Sequence, residues 1–264
     1  MSIPRFGSKL LGFYQRKGAN LFFKNPLAMR LQQPLISFTF DDFPRSALLT
    51  GGCILKRFGL AGTYYVSLGL LGKHAPSGPV CLHQDLEALL EQGHELGCHT
   101  FNHFDSWETS TSVFMASIVE NQRSLDKLFP GASFRTFSYP INPPRIWTKR
   151  RVAGHFACSR GGGQTLNVGT VDLNYLSAFF LEKSRDNPRA VKNLIDLNRR
   201  LQGWLILATH DVNKEPSPWG CTPEFFEDIV KYALNSGARI LPVVEAREAL
   251  DAPYATRTTT KEKT

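Results

Sequence analysis

The ten residues LISFTFDDFP, Leu35 to Pro44, decide how the rest of the chain is read. Their first six form a short, nearly unbroken apolar and aromatic run, the pattern of a strand buried on both faces. The run ends in Asp41 and Asp42, with Pro44 close behind. Two adjacent carboxylates at a buried strand end repel each other and lose hydration, so the pair points to a metal or a reaction that uses it.

Working outward, short apolar runs alternate with longer helical patterns, the signature of repeated βα units. After the strand at 35–40, the spacing predicts a helix from Ser46 to Phe58, ended by Gly59, and a strand at GTYYVS, 62–67. A helix over Gln84–Gln92 places Leu86, Leu89 and Leu90 on one face and stops at Gly93, before a strand from Glu95 to His99. A long helix over Val113–Phe129 closes at Pro130-Gly131, and FRTFSYP, 134–140, reads as a strand. Pro143-Pro144 opens a short helix to about Val152, and HFACS, 155–159, reads as a weak strand before the Gly161-Gly162-Gly163 loop. Then come a strand over Tyr175–Leu181, a helix over Arg189–Leu201, a strong strand at WLILATH, 204–210, a helix over Phe225–Asn235 and a strand at ARILPV, 238–243. There is no internal repeat.

The 264 residues fit one domain, since single α/β barrels commonly run to about 250 residues. Residues 1–30 read as a basic arm, 31–250 as the barrel and 251–264 as a polar, disordered tail. The arm mixes Lys and Arg with Leu and Phe and is expected to pack on the domain or to rest on an anionic membrane surface. A net charge of +8 favours anionic partners, but no helix-turn-helix, RNP-like or Arg-rich segment stands out, so nucleic acid is not expected among them. Five scattered cysteines without CxxC spacing argue against a disulfide framework and a thiolate zinc site. With no secretion signal in the first residues and no run of about 18 apolar residues, the expected place is the cytoplasm, or the periphery of the inner membrane face.

Three expected strands end in groups that bind metal or move protons: Asp41 with Asp42, His99 with His103, and His210 with Asp211. In a parallel α/β barrel the carboxyl ends of all strands share one face, so these groups converge there. His99 and His103, four apart in HTFNH, are spaced to grip one ion from a helical turn or from a tight loop. One carboxylate completes a set of three ligands and leaves a position for water, as catalytic metal sites require. A divalent ion there polarises a carbonyl and lowers the pKa of that water; the acid pair supplies both ligand and base, and His210 is placed to act as general acid. Each feature alone is commonplace, and their joint occurrence at strand ends carries the reading.

TFDD, HTFNH, a YP-containing strand end and an apolar strand closing on His together resemble the polysaccharide deacetylases, the family 4 carbohydrate esterases with chitooligosaccharide-deacetylase homology, over about residues 35–245. The resemblance implies a distorted, incompletely closed (β/α) barrel of about seven parallel strands. It implies metal-dependent removal of an N- or O-acyl group from a sugar, with an N-acylated saccharide as substrate and zinc as the first choice of metal, ahead of cobalt, nickel or manganese. It makes Asp41 the base, Asp42, His99 and His103 the ligands, and His210 the acid, with Glu95 in support.

The backbone N–H of Ile141 becomes the candidate oxyanion donor, a role that needs no particular side chain. Tyr139, Trp107 and Trp219 are the candidate sugar contacts. The chain departs from the family pattern where Ser138 stands in place of an arginine that orients the base; Arg135 lies three residues earlier. The Asp and Trp that support the acid histidine are not recognisable, and Asp172 is the nearest candidate. Two other functions stay open: deformylation or deacetylation of a lipid-linked sugar at the inner membrane face, and a catalytically silent carbohydrate-binding barrel.

Overall fold

The structure is a computed structural model that describes Tyr14 and residues 17–251. Most of the arm's first sixteen residues and the tail beyond Asp251 lie outside the described residues. Eight strands form the main sheet: β1 Leu35–Phe40, β2 Thr63–Val66, β3 Glu95–Cys98, β4 Thr136–Ser138, β5 Cys158–Arg160, β6 Phe179–Phe180, β7 Trp204–Thr209 and β8 Arg239–Ile240. Seven lie in the order β6, β7, β1, β2, β3, β4, β5, while β8 pairs with the start of β1; every pairing is parallel.

The row curls into a distorted half-barrel. Beyond β5 the ring is continued by irregular chain, where Ser159 N–H donates to Leu173 O, Leu176 N–H to Ser159 O and Gly161 N–H to Leu176 O, and this segment leads into β6. The strand expected over Tyr175–Leu181 is therefore a two-residue ladder preceded by this irregular closure. Gly161 makes the closure fit, because a Cβ there would lie 2.2 Å from the Tyr175 ring.

Every residue of β1 and β7 is buried, as a parallel sheet covered on both faces requires. Alternation then divides them. Ile36, Phe38 and Phe40 pack with Leu205 and Leu207 in the layer beneath the helices, where Phe38 meets Phe226 edge-on at 5.5 Å. Leu35 faces the other way with Trp204, Ile206 and Ala208, and Trp204 Nε1 donates to Ser37 Oγ inside the barrel. Period two then carries positions 35, 37 and 39 on to Asp41, and positions 204, 206 and 208 on to His210.

The covering helices are α1 Cys53–Arg57, continuing a wider turn at Ala47–Gly52, then α2 His83–Glu91, α3 Thr111–Leu128, α4 Ile146–Val152, α5 Pro188–Leu201, α6 Pro223–Asn235 and α7 Val243–Ala249. The starts of α3 and α6 are set by Ser110 and Thr222, whose hydroxyls accept the N–H of Val113 and Phe225. The sequence reading ran ARILPV on as strand to 243, but Pro242 ends β8 and α7 follows, its Val243 and Ala246 buried against the barrel. HFACS is displaced as well: the strand is Cys158–Arg160, one residue past the apolar run.

The described part of the arm lies against the barrel. Pro26–Ala28 pairs antiparallel with Thr170–Asp172. The buried Lys149 of α4 donates to the carbonyls of Ala19 and Phe22 at 2.6 and 2.9 Å and pairs with Asp172 at 2.5 Å.

Candidate active site

The site begins where β1 runs out. Asp42 and Phe43 both take left-handed backbone angles, φ of 59° and 41°, so the chain turns sharply and brings the Asp42 carboxylate over the barrel mouth. His99 follows β3 directly, and its Nδ1 meets Ser138 O at 2.8 Å. That contact makes Nδ1 the protonated nitrogen and leaves Nε2 a lone pair. Thr100 and His103 are also left-handed, at φ of 60° and 55°, so a tight loop rather than a helical turn returns the second imidazole. Asp42 Oδ1 lies 3.0 Å from His103 Nε2 and 3.5 Å from His99 Nε2, and the three donors all fall within 4.8 Å of one another.

This donor set fits a divalent metal. It offers two imidazole nitrogens and one carboxylate, with the His99 ring fixed by a carbonyl behind it. Asp42 Oδ1 is buried without a hydrogen-bond partner, which a cation would satisfy. Burial pushes the Asp42 carboxyl up, but the adjacent His103 and His99 imidazoles outweigh it and hold the group well below the usual carboxylate range.

Asp41 points into the barrel. Its N–H extends the ladder to Thr209 O at 2.9 Å, and its carboxylate pairs with the Arg160 guanidinium. Burial raises this carboxyl too, yet Arg160, helped by His99 and His210, more than offsets that and keeps it ionised. Arg160 was not among the residues read from the sequence. It pairs in register with Ser138, so the cation missing at 138 is supplied one strand over, on the same face. The guanidinium sits 4.6 Å above the Tyr65 ring. The available signal was a charged residue closing an apolar run in HFACSR, immediately before three glycines. Arg135 lies elsewhere, pairing with Glu248 at 2.5 Å in an exposed bridge.

His210 ends β7 with Nε2 4.0 Å from Asp42 Oδ2. Its Nδ1 is buried and without a partner, and so is Oε2 of Glu182, a second residue the sequence reading did not find. Glu182 follows β6, is pushed up by burial, and feels the charge of His210. Both residues line the same cavity. Asp172, the candidate named from sequence, is taken up by Lys149 and by the N–H groups of Asn25 and Asn174. Asp211 accepts from Ser217 and shapes the loop behind His210. Glu95 lies at the other end of β3, gripped by Thr63, Thr136 and the N–H of Val244, as a brace across the barrel floor.

These groups open into a cavity of about 890 Å³ that Asp41, Asp42, His99, His103 and His210 line together. Tyr139, Ile141 and Trp219 line it as well. Ile141 holds φ at 63°, an outlier for a β-branched residue, and is 65 % exposed at the rim. Trp107 is not brought there; its indole N–H donates to Pro143 O at 2.7 Å and its ring lies under Arg145.

The motifs have a counterpart in a family model. Residues 28–143, ending just past the YPINP strand end, match the model described as polysaccharide deacetylase. That stretch belongs to the polysaccharide deacetylase family. Solved structures of the family have the same fold. The Xyl-CE4 domain of a multidomain xylanase from the hindgut metagenome of Trinervitermes trinervoides is 18 % identical, covers 84 % of this chain and 93 % of its own, and has a TM-score of 0.59. A family 4 acetyl xylan esterase from Clostridium thermocellum, in complex with a cobalt ion, is 21 % identical over 83 % of this chain and 93 % of its own, with a TM-score of 0.57. A CE4 family pseudoenzyme from Bacillus anthracis is 13 % identical over 83 % of this chain and 66 % of its own, with a TM-score of 0.58. No curated protein matches the chain. Among the described residues, no helix is long and apolar enough to cross a membrane.

Proposed function

We propose that the chain is a metal-dependent hydrolase that removes an N-acyl group, acetyl first, from a saccharide. The observation that carries the reading is the meeting of an ionised, arginine-held Asp41 with the Asp42, His99 and His103 donor set in one cavity. A divalent cation held by those three residues supplies Lewis-acid polarisation of the acyl carbonyl and makes water a better nucleophile.

The chain's own groups do the rest. Asp41 accepts the proton of the attacking water; with Arg160 behind it, the carboxylate is ionised and aimed before substrate arrives. His210, which lines the same cavity as Tyr139 and Ile141, returns a proton to the departing amine. The Ile141 N–H faces charge developing on the carbonyl oxygen, a contribution of about 3 kcal/mol where such donors are well placed. Tyr139 and Trp219 offer ring surface to the sugar. Zinc is the first candidate metal, since two imidazoles and one carboxylate suit it.

Silence is the weaker reading, because Asp41, the three-residue donor set and His210 all line one cavity. The test is release of acetate or formate from a panel of acylated sugars by metal-loaded protein, with Asp41→Asn alongside. Full activity in Asp41→Asn would overturn the assigned base, and no release from any acyl sugar by the metal-loaded protein would overturn the reaction.

A further inference from the structure

We propose that the face formed by the described part of the arm and α4 is a docking surface for an anionic lipid bilayer, holding the cavity mouth toward the membrane. Leu21 and Phe22 are 61 % and 50 % exposed, and Trp147 of α4 is 60 % exposed. They belong to one surface: Lys149 of α4 holds the carbonyls of Ala19 and Phe22, and Phe23 packs on Trp147 with ring centroids 5.6 Å apart. Large apolar side chains left in water this close together mark an interaction surface rather than scattered exposure.

The surrounding charge selects the partner. Lys24, Arg150 and Arg151 are exposed around these rings, and Arg150 lies 5.3 and 5.4 Å from the Phe23 and Trp147 rings. Residues 17–30 and 143–160 contain no Asp or Glu, and Asp172, which packs between them, is paired with Lys149. Amphipathic rings among cations, on two segments that carry no acid of their own, match the boundary between headgroups and acyl chains in a membrane carrying negative lipid. An acidic peptide or nucleic acid would use the cations but leave Leu21, Phe22 and Trp147 in water.

The surface adjoins the cavity. Asn20, beside Leu21, lines it, and so do Asn142 and Pro143, which lead into α4. Docking would therefore present the site to saccharide carried at a membrane; that last step rests on the deacylation reading, whereas the docking does not.

The test is partition of the full chain into vesicles of mixed phosphatidylcholine and phosphatidylglycerol, compared with phosphatidylcholine alone, at about 0.1 M salt, where electrostatic attraction reaches only about 10 Å before it is screened. Binding to the mixed vesicles and release in high salt are expected. Arg150→Ala with Arg151→Ala should weaken partition about fivefold for each arginine lost. Leu21→Ser with Phe22→Ser should abolish it, while both variants keep wild-type turnover of a soluble acyl sugar. Brominated-chain lipids should quench Trp147 in the wild type, a readout that needs no folded variant beyond Trp147→Phe as control. No partition into the mixed vesicles, or unchanged partition in both double variants, overturns the proposal. Retention on heparin or DNA without vesicle binding would assign an acidic polymer and overturn it equally. Vesicle binding without acetate release would sink the reaction and leave the surface standing.

Discussion

Replacing Arg160 with Met removes the cation that holds Asp41 and fills most of the same volume. Arg160 is 1 % exposed and Asp41 is 4 % exposed, so the buried figure applies and the near-zero value typical of surface pairs does not. Two unit charges about 4 Å apart at an effective dielectric constant of about 20 attract by about 4 kcal/mol, and breaking one side of a buried pair costs about 3 to 5 kcal/mol. For a domain of this size that corresponds to a fall of roughly 10 °C in Tm. Without Arg160, the burial that raises the Asp41 carboxyl is no longer outweighed, so its pKa moves up. The acid limb of kcat/KM should then move to higher pH, and neutral-pH turnover should fall by on the order of a hundredfold, the lower range for a lost general base.

Thermal unfolding and a pH profile of acetate release measure both effects. The swap Ser138→Arg with Arg160→Ser returns a guanidinium to the adjacent, in-register position and should recover part of each loss. An Arg160→Met protein with an unmoved acid limb and an unchanged Tm would refute the role given to Arg160. A swap no better than Arg160→Ser alone would refute the claim that the two positions are interchangeable.

Asp42→Asn should lower zinc affinity by on the order of a hundredfold or more, read by calorimetric titration; retained affinity would place the ion elsewhere. Ile141→Gly relieves a left-handed angle that costs a β-branched residue about 1 kcal/mol or more, so Tm should rise by a few degrees while acetate release stays within severalfold of wild type. A large loss of turnover would show that the Ile141 side chain, and not its N–H, matters. His94 is buried, accepts the Gly62 N–H on Nδ1, and is pushed down to about 4 by burial. Since the unfolded chain takes up this proton first, stability should be whole above about pH 6.5 and fall by about 3 kcal/mol as pH drops to about 4. His94→Gln should flatten that part of the pH dependence of Tm, and an unchanged slope would assign it to other groups.

The sequence by itself determined the strand at LISFTF, the order of βα units and the kinds of side chain that the strand ends carry, because these are local: a buried strand must be apolar, and the groups at its end are read off directly. The same locality explains the boundary errors. ARILPV ran through Pro242 because the apolar Val243 suits a strand as well as the helix it opens, and HFACS stopped short because the strand's last residue, Arg160, is charged. Only the tertiary structure decided which residue holds Asp41 and which groups share the cavity with His210. Arg160 lies 119 positions from Asp41, and the two meet because parallel register sets β5 beside β4 and period two turns both residues to the barrel interior. Glu182 likewise comes to the cavity that His210 lines only through the pairing of β6 with β7. A sequence pattern records which groups a strand end carries, whereas the lateral order of strands, fixed by long-range hydrogen bonding and packing, decides which of those groups become neighbours.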